Sequence, residues 1–253
     1  MKIMLDIDGT ICEPRQKVSA EIIAELKRLC GKYEIGLITG SHKEYIVEQL
    51  GTFIHSNLVL LPCNGTQTWE WCSDNTWNKV HEERISEKTN VQDIVKELER
   101  IFESMKPTIT QFNGPIGEYI QVRSSLVNFC PIGRNSDLER RKKFEDFDKQ
   151  TLFRKDWLPE LRKAMTNFKC EAVLGGATSF DIYPIGWNKK YGLKQFRTTI
   201  SINDVPKISE GIIYIGNAFY EDGNDRCMLE ASDVLCIEVK NPQETLTILK
   251  QLK

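Results

Sequence analysis

Long apolar runs are missing from this chain of 253 residues. No stretch approaches the roughly 20 residues that a membrane-spanning helix needs, and the N-terminus has no signal-peptide pattern; the expected location is the cytoplasm. A strong charge of one sign is also missing. The net charge of -2 supplies no field to gather nucleic acid or an anionic membrane. Histidine is scarce: the chain has 3, His42, His55 and His81, which form no cluster and read as surface or structural residues. The 8 cysteines contain no CxxC pair and fit no zinc template. Without a secretion signal they read as reduced thiols that pack as small apolar residues. No internal repeat or low-complexity linker interrupts the chain.

What is present is a change of rhythm. Residues 2–7 predict a strand, 18–31 an amphipathic helix with Ile22, Ile23, Leu26 and Leu29 on one face, and Ile35–Ile38 a second strand. A helix over 43–50 and a strand over Leu58–Leu61 follow. This alternation implies a parallel sheet with covering helices. The middle reads differently. Charged, helix-prone segments at 91–104 and 136–166 accompany short strands at 118–123, 126–131, 171–174 and 178–183. The end returns to the first style, with a helix over 188–197, strands at 212–215 and 234–239, and a helix over 225–231. The fold class expected is α/β: a Rossmann-like parallel-sheet core from 1–82 and 186–253, with an inserted α+β cap domain from 83–185. Trp69, Trp71 and Trp77 flank Asp74-Asn75 and predict a β-hairpin, in which packing is a better use of the aromatics than sugar stacking.

In open parallel α/β sheets, ligands bind beyond the carboxyl ends of the strands. The first strand ends in Asp6-Ile7-Asp8-Gly9-Thr10, and aspartates next to a buried strand need compensation for their charge. The second ends in Thr39-Gly40-Ser41. The strand at 212–215 runs into Gly216-Asn217, with Asp225 close behind. Gly186-Trp187-Asn188-Lys189 follows the inserted segment. Two carboxylates on one side of an extended segment repel each other unless a cation intervenes. Mg²⁺ takes oxygen ligands and commonly bridges one or two carboxylates to a phosphate. Asp6, Asp8, Asn217 and Asp225 are the candidate ligands. Lys189 would offset phosphoryl charge, Thr39 or Ser41 would donate to it, and Asp6 would attack phosphorus while Asp8 moves the proton. Singly, each element has a plainer explanation: a solvated Asp-x-Asp, a Gly-Asn turn, a wet Lys189-Lys190 pair, or Thr39 as a helix cap. Together, in chain order and at strand ends, they favour phosphoryl transfer through a carboxylate.

These segments resemble the motifs of the haloacid dehalogenase superfamily: Asp6 to Thr10 the first, Thr39 the second, Lys189 the third, and Gly216-Asn217 through Asn224-Asp225 the fourth. Further pieces are similar to eukaryotic-type α-phosphomannomutases. They are Pro14-Arg15-Gln16-Lys17, Asn64-Gly65-Thr66, Arg123, Asn128-Phe129-Cys130-Pro131-Ile132-Gly133-Arg134, Gly175-Gly176, Ser179-Phe180-Asp181, and Gly186-Trp187-Asn188-Lys189-Lys190-Tyr191. The similarity spans nearly the whole chain.

The resemblance implies interconversion of mannose 1-phosphate and mannose 6-phosphate through an aspartyl-phosphate, with Mg²⁺ and a hexose 1,6-bisphosphate activator, in GDP-mannose biosynthesis. It implies that Arg15, Arg123, Arg134 and Arg141 bind substrate, that Ser179 and Asp181 contact the sugar or its phosphate, and that the cap forms a homodimer. Arginine suits phosphate because its planar fork pairs with two oxygens. The plainer reading of Arg140 and Arg141 is a solvated helix face. A Mg-dependent sugar-phosphate phosphatase on the same fold is the alternative function, and a non-catalytic binding protein derived from such an enzyme ranks below both.

Overall fold

A computed structural model describes residues 1–72, 74, 76–199 and 211–252. The chain divides into two compact units, Met1–Glu82 with Gly186–Lys253, and Glu83–Ile185. In chain order the first unit opens with β1 (Lys2–Asp6), α1 (Ala20–Cys30), β2 (Glu34–Ile38), α2 (Lys43–Leu50), β3 (Leu58–Leu61), β4 (Gln67–Trp71) and β5 (Trp77–Glu82). The second unit contains α3 (Val91–Ile109), β6 (Ile120–Val122), β7 (Val127–Phe129), α4 (Leu138–Thr151), α5 (Phe153–Thr166), β8 (Cys170–Gly175) and β9 (Ser179–Pro184). The first unit resumes with α6 (Lys189–Thr198), β10 (Ile212–Gly216), β11 (Val234–Glu238) and α7 (Pro242–Gln251).

Among the described residues the first unit holds a seven-stranded sheet in the order β11-β10-β1-β2-β3-β4-β5. The strands from β11 to β3 pair in parallel, and β4 and β5 add antiparallel. The parallel strands are short and apolar because both faces are covered. Ile3 and Leu5 face a core built with Ile22, Leu26 and Leu29 of α1, Ile46 and Leu50 of α2, and Leu246 and Leu249 of α7. Met4 turns the other way, onto a core shared with Leu193 and Phe196 of α6 and with Tyr214. Side chains alternate along a strand, so Asp6 shares the face of Met4. That is the face α6 covers.

The helices start where the sequence supplies caps. Ser19 accepts from the Ile22 N–H to begin α1, and Asn188 accepts from the Lys190 N–H to begin α6. The second cap puts Lys189 in the first turn of α6. The Trp hairpin forms, with Trp71 and Trp77 in register and their rings edge-to-face at 5.1 Å. Asn75, expected between its strands, lies outside the described residues.

In the second unit an antiparallel sheet runs β6-β7-β9-β8. Phe129, Phe180 and Ile182 lie on its apolar side, where the rings of Phe129 and Phe180 stack at 5.7 Å. Asn128 and Asp181, register partners, share the other side. The charged segment 136–166 is two helices, because Leu152 adopts a left-handed φ of 57° between them. The helix expected over 225–231 is a 3₁₀ turn, Arg226–Glu230. The first strand stops at Asp6, and residues 7–12 form a tight turn in which the Ile7 carbonyl accepts from Thr10 and Ile11 N–H. Among the described residues, no helix is long and apolar enough to cross a membrane.

Candidate active site

The site lies beyond the carboxyl ends of β1, β2 and β10. Asp6 ends β1, 5% exposed. Its register partner on β2 is Ile38, so Thr39 is the next residue along the neighbouring strand. Lys189 enters from the start of α6 and is 1% exposed. Its ammonium lies 2.6 Å from Asp6 Oδ1 and 2.5 Å from Asp225 Oδ1. A wet Lys189-Lys190 surface pair is therefore excluded for Lys189. Lys190 does point outward, onto Glu230 at 2.6 Å.

Asp225 is fully buried and holds four donors. Oδ1 takes Lys189 Nζ and the Tyr214 hydroxyl; Oδ2 takes the backbone N–H groups of Asn217 at 3.0 Å and Ala218 at 2.8 Å. Gly216 makes room for this carboxylate, since a Cβ built there would stand 2.6 Å from Asp225 Oδ2. Asp225 was expected among the metal ligands. Its lone pairs are instead taken by protein donors, and it works as the anchor of Lys189 and of the Asn217 turn.

The Thr10 hydroxyl, fully buried, lies 3.3 Å from both Asp6 Oδ2 and Asn217 Oδ1. One hydroxyl proton serves one acceptor at a time, so two hard oxygens converge with more lone pairs than donors. Such a surplus suits a cation. Asn217 also approaches Gly9 closely, and Gly9 has a φ of +85° that an L side chain rarely adopts. Among the described residues no group of three or more His, Cys, Asp or Glu side chains forms a preformed metal centre. The donors present, acid and amide oxygens, fit Mg²⁺, which keeps several waters and uses one or two carboxylates plus substrate phosphate.

Burial dominates the electrostatics. It pushes the Asp6 carboxyl up to about 7, with the charges of Asp225 and Asp8 adding to it and Lys189 opposing. Burial also works against the Lys189 ammonium, but the carboxylates of Asp225 and Asp6 outweigh it and raise its pKa. For Asp225, burial is overcome by Lys189, the Tyr214 hydroxyl and the Ala218 N–H, and its pKa falls below the usual carboxylate range. Tyr214 stays protonated, because burial and the neighbouring acids raise it well above an ordinary tyrosine.

Asp8 is half-buried. Its Oδ1 accepts from Gln49 Nε2 at 2.9 Å and from the Arg15 N–H at 3.4 Å. Arg15 itself has a left-handed φ of 65°. Thr39 Oγ1 accepts from the Ser41 N–H at 3.2 Å, while His42 occupies the N-cap position of α2, so Thr39 is not that helix's cap.

In the second unit Arg134 Nη1 donates to Asn128 Oδ1 at 3.3 Å. Asn128 Nδ2 donates in turn to Ser179 Oγ at 3.1 Å and Asp181 Oδ1 at 2.6 Å. Arg123 Nε donates to Gln121 Oε1 at 3.1 Å. Arg141 is not on a solvated face. Its guanidinium spans Ser136 O at 3.0 Å, Thr178 Oγ1 at 2.9 Å and Arg134 O at 2.7 Å, which pins the loop carrying Arg134. Arg140 reaches the Gly114 carbonyl.

Four residues here carried no assigned role in the sequence. Thr10 and Asn128 lie inside the quoted motifs. Gln49 falls between Ile46 and Leu50 on the buried stripe of α2, a polar residue at an apolar position. Tyr214 carries the one polar side-chain group of β10.

A sequence model described as eukaryotic phosphomannomutase matches residues 21–253. The chain belongs to the eukaryotic phosphomannomutase family. Relatives agree over almost the full length. A phosphomannomutase of Arabidopsis thaliana is 28% identical over 256 residues, covering 98% of this chain and 95% of its own. One of Solanum lycopersicum is 27% identical over 250 residues, covering 96% and 90%. Solved structures with lower identity share the fold. An IMP-bound, N-terminally truncated IMP-nucleotidase of Plasmodium falciparum superposes with a TM-score of 0.61 at 17% identity, over 98% of this chain and 66% of that one. This chain thus spans just under two thirds of the nucleotidase. A trehalose-6-phosphate phosphatase of Aspergillus fumigatus gives a TM-score of 0.51 at 16% identity, over 99% and 91%.

Proposed function

We propose that the protein is a phosphomannomutase that interconverts mannose 1-phosphate and mannose 6-phosphate through phosphoryl transfer to Asp6. The observation that carries this reading is the buried Asp6–Lys189–Asp225 cluster at the strand ends in a chain of this family. Asp6, Asp8 and Asn217 are the residues that would hold Mg²⁺. Bound there, the ion would neutralise carboxylate and phosphoryl charge.

Each half-reaction balances through two carboxylates. An Asp6 oxygen attacks phosphorus of a hexose 1,6-bisphosphate, the ester P–O bond breaks, and Asp8 gives its proton to the departing sugar oxygen. The acyl phosphate on Asp6 is then attacked by the free 6-hydroxyl of mannose 1-phosphate, whose proton returns to Asp8, and the new ester regenerates the Asp6 carboxylate. The bisphosphate so formed turns round and gives its 1-phosphoryl group to Asp6, leaving mannose 6-phosphate. Lys189 keeps two of its N–H groups on carboxylates and turns the third to the transferring group. Thr39 and Ser41 donate to its oxygens. Transfer of this kind depends on positioning and charge stabilisation.

We assign recognition of the non-reacting phosphate and the sugar to Arg15, Arg123, Arg134, Ser179 and Asp181, with Arg141 holding the Arg134 loop. A cytoplasmic homodimer joined through the second unit and a role in GDP-mannose biosynthesis complete the proposal. The fold of the phosphatase neighbours favours one second reading, in which water replaces the sugar hydroxyl as acceptor. Mg²⁺, mannose 1-phosphate and a trace of hexose 1,6-bisphosphate separate the two in one assay. Mannose 6-phosphate with little free phosphate supports the mutase. Free phosphate without the isomer overturns it in favour of the phosphatase.

A further inference from the structure

Tyr214 sits in β10 among Ile212, Ile213, Ile215 and Gly216 and is fully buried. Its register partner on β1 is Met4, two residues before Asp6 on the same face of the sheet. The ring packs with Leu193, Phe196, Phe219 and Met228 and meets Phe219 edge-on, with centroids 5.9 Å apart. Phenylalanine would satisfy that packing. The hydroxyl is the feature that needs a reason, and it donates to Asp225 Oδ1, the oxygen that also receives Lys189 Nζ.

We propose that Tyr214 is a positioning residue for phosphoryl transfer, acting through Asp225 to hold the Lys189 ammonium against Asp6. Two backbone N–H groups fix Asp225 Oδ2. Among the described residues, Tyr214 and Lys189 are the donors that direct Oδ1. With the hydroxyl on one lone pair, Lys189 approaches along the other, where it also reaches Asp6. Without the hydroxyl, Oδ1 offers its whole charge to Lys189, and the ammonium moves toward Asp225 and away from Asp6. A charge-assisted hydrogen bond is among the stronger single contacts in a protein, and in this dry site no water replaces it. The role rests on the reading of Asp6 as the nucleophile.

Tyr214→Phe removes one oxygen and keeps the ring contacts. The experiment compares wild-type and variant with Mg²⁺, mannose 1-phosphate and hexose 1,6-bisphosphate. It records kcat, KM, the single-turnover rate of Asp6 phosphorylation and the urea midpoint. The expected result is kcat and the single-turnover rate each lower by about tenfold, with KM within about twofold and a cooperative urea transition retained. In an Asp225→Asn background the same substitution is expected to change the single-turnover rate by less than about twofold, because the acceptor it acts on is already altered. An unchanged kcat in the folded variant, or an equal loss in both backgrounds, would overturn this role while leaving the mutase intact. Absence of phosphoryl transfer in the wild-type protein would instead remove the functional reading, and this role with it.

Discussion

The ammonium of Lys189 stands 2.6 Å from Oδ1 of Asp6, and both side chains are shut away from solvent, at 1% and 7% exposure. A buried ion pair of this kind is costly to assemble and more costly to break. Removing one partner leaves an uncompensated charge in a dry site.

Lys189→Met should therefore affect two quantities at once. It leaves Asp6 and Asp225 facing each other without a cation. Urea unfolding is expected to show a loss of about 3–5 kcal/mol, and kcat should fall by about a thousandfold or more. Normal stability with lost activity would mean that Lys189 acts on substrate alone.

The pH dependence follows from Asp6. Its folded pKa, pushed by burial to about 7, lies above the ordinary value of 3.8. Between these values the native state binds more protons than the unfolded chain, so stability falls as pH rises. The contribution is fully present below the ordinary value and is lost as pH passes through about 7. In the proposed site Mg²⁺ would bind the ionised form. Its stabilising shift in Tm, measured against EDTA, should be larger at about pH 8 than at about pH 5. Equal shifts at both values would contradict a cation held by Asp6.

Gln49 should matter for rate more than for stability. Its Nε2 orients Asp8, while its buried Oε1 has no hydrogen-bond partner among the described residues. Gln49→Met removes both the useful donor and the unpaired acceptor. The Tm should move little, and kcat should drop by about tenfold, the effect of one lost charge-assisted bond. An unchanged kcat would leave Asp8 oriented by other contacts.

Arg141 meets three acceptors with one planar group. A lysine cannot span them. Arg141→Lys should loosen the loop that carries Arg134 and raise KM for mannose 1-phosphate by about tenfold, with a smaller change in kcat. A kcat loss larger than the KM change would indicate direct work on the reacting phosphoryl group.

The parallel strands were legible because burial on both faces writes them as short apolar runs, such as Ile3-Met4-Leu5. The helix at Lys43–Leu50 was legible from its spacing. Two helical features were not. The helix Val91–Ile109 runs through Pro107 because the buried stripe continues across it, from Met105 before to Ile109 after. The break at Leu152 has no Gly or Pro to announce it. It is fixed by Asp148, whose carboxylate turns to the Arg154 N–H and guanidinium. Within the site, Asp6, Lys189 and Asn217 could be read from their motifs, since phosphate chemistry restricts the residue types. Gln49 and Tyr214 could not be paired with Asp8 and Asp225 in advance, because those contacts exist only after α2 and β10 have packed. The same holds for Asp225, whose four donors come from two separate stretches of chain, Lys189 and residues 214–218.

The most direct measurement is to mix the protein with Mg²⁺ and hexose 1,6-bisphosphate, quench in acid, and map the phosphorylated peptide by mass spectrometry. Transfer through Asp6 predicts a phosphoryl group on the peptide containing Asp6, released by hydroxylamine and absent in Asp6→Asn. Turnover with no label on that peptide, or label that persists in Asp6→Asn, would contradict it.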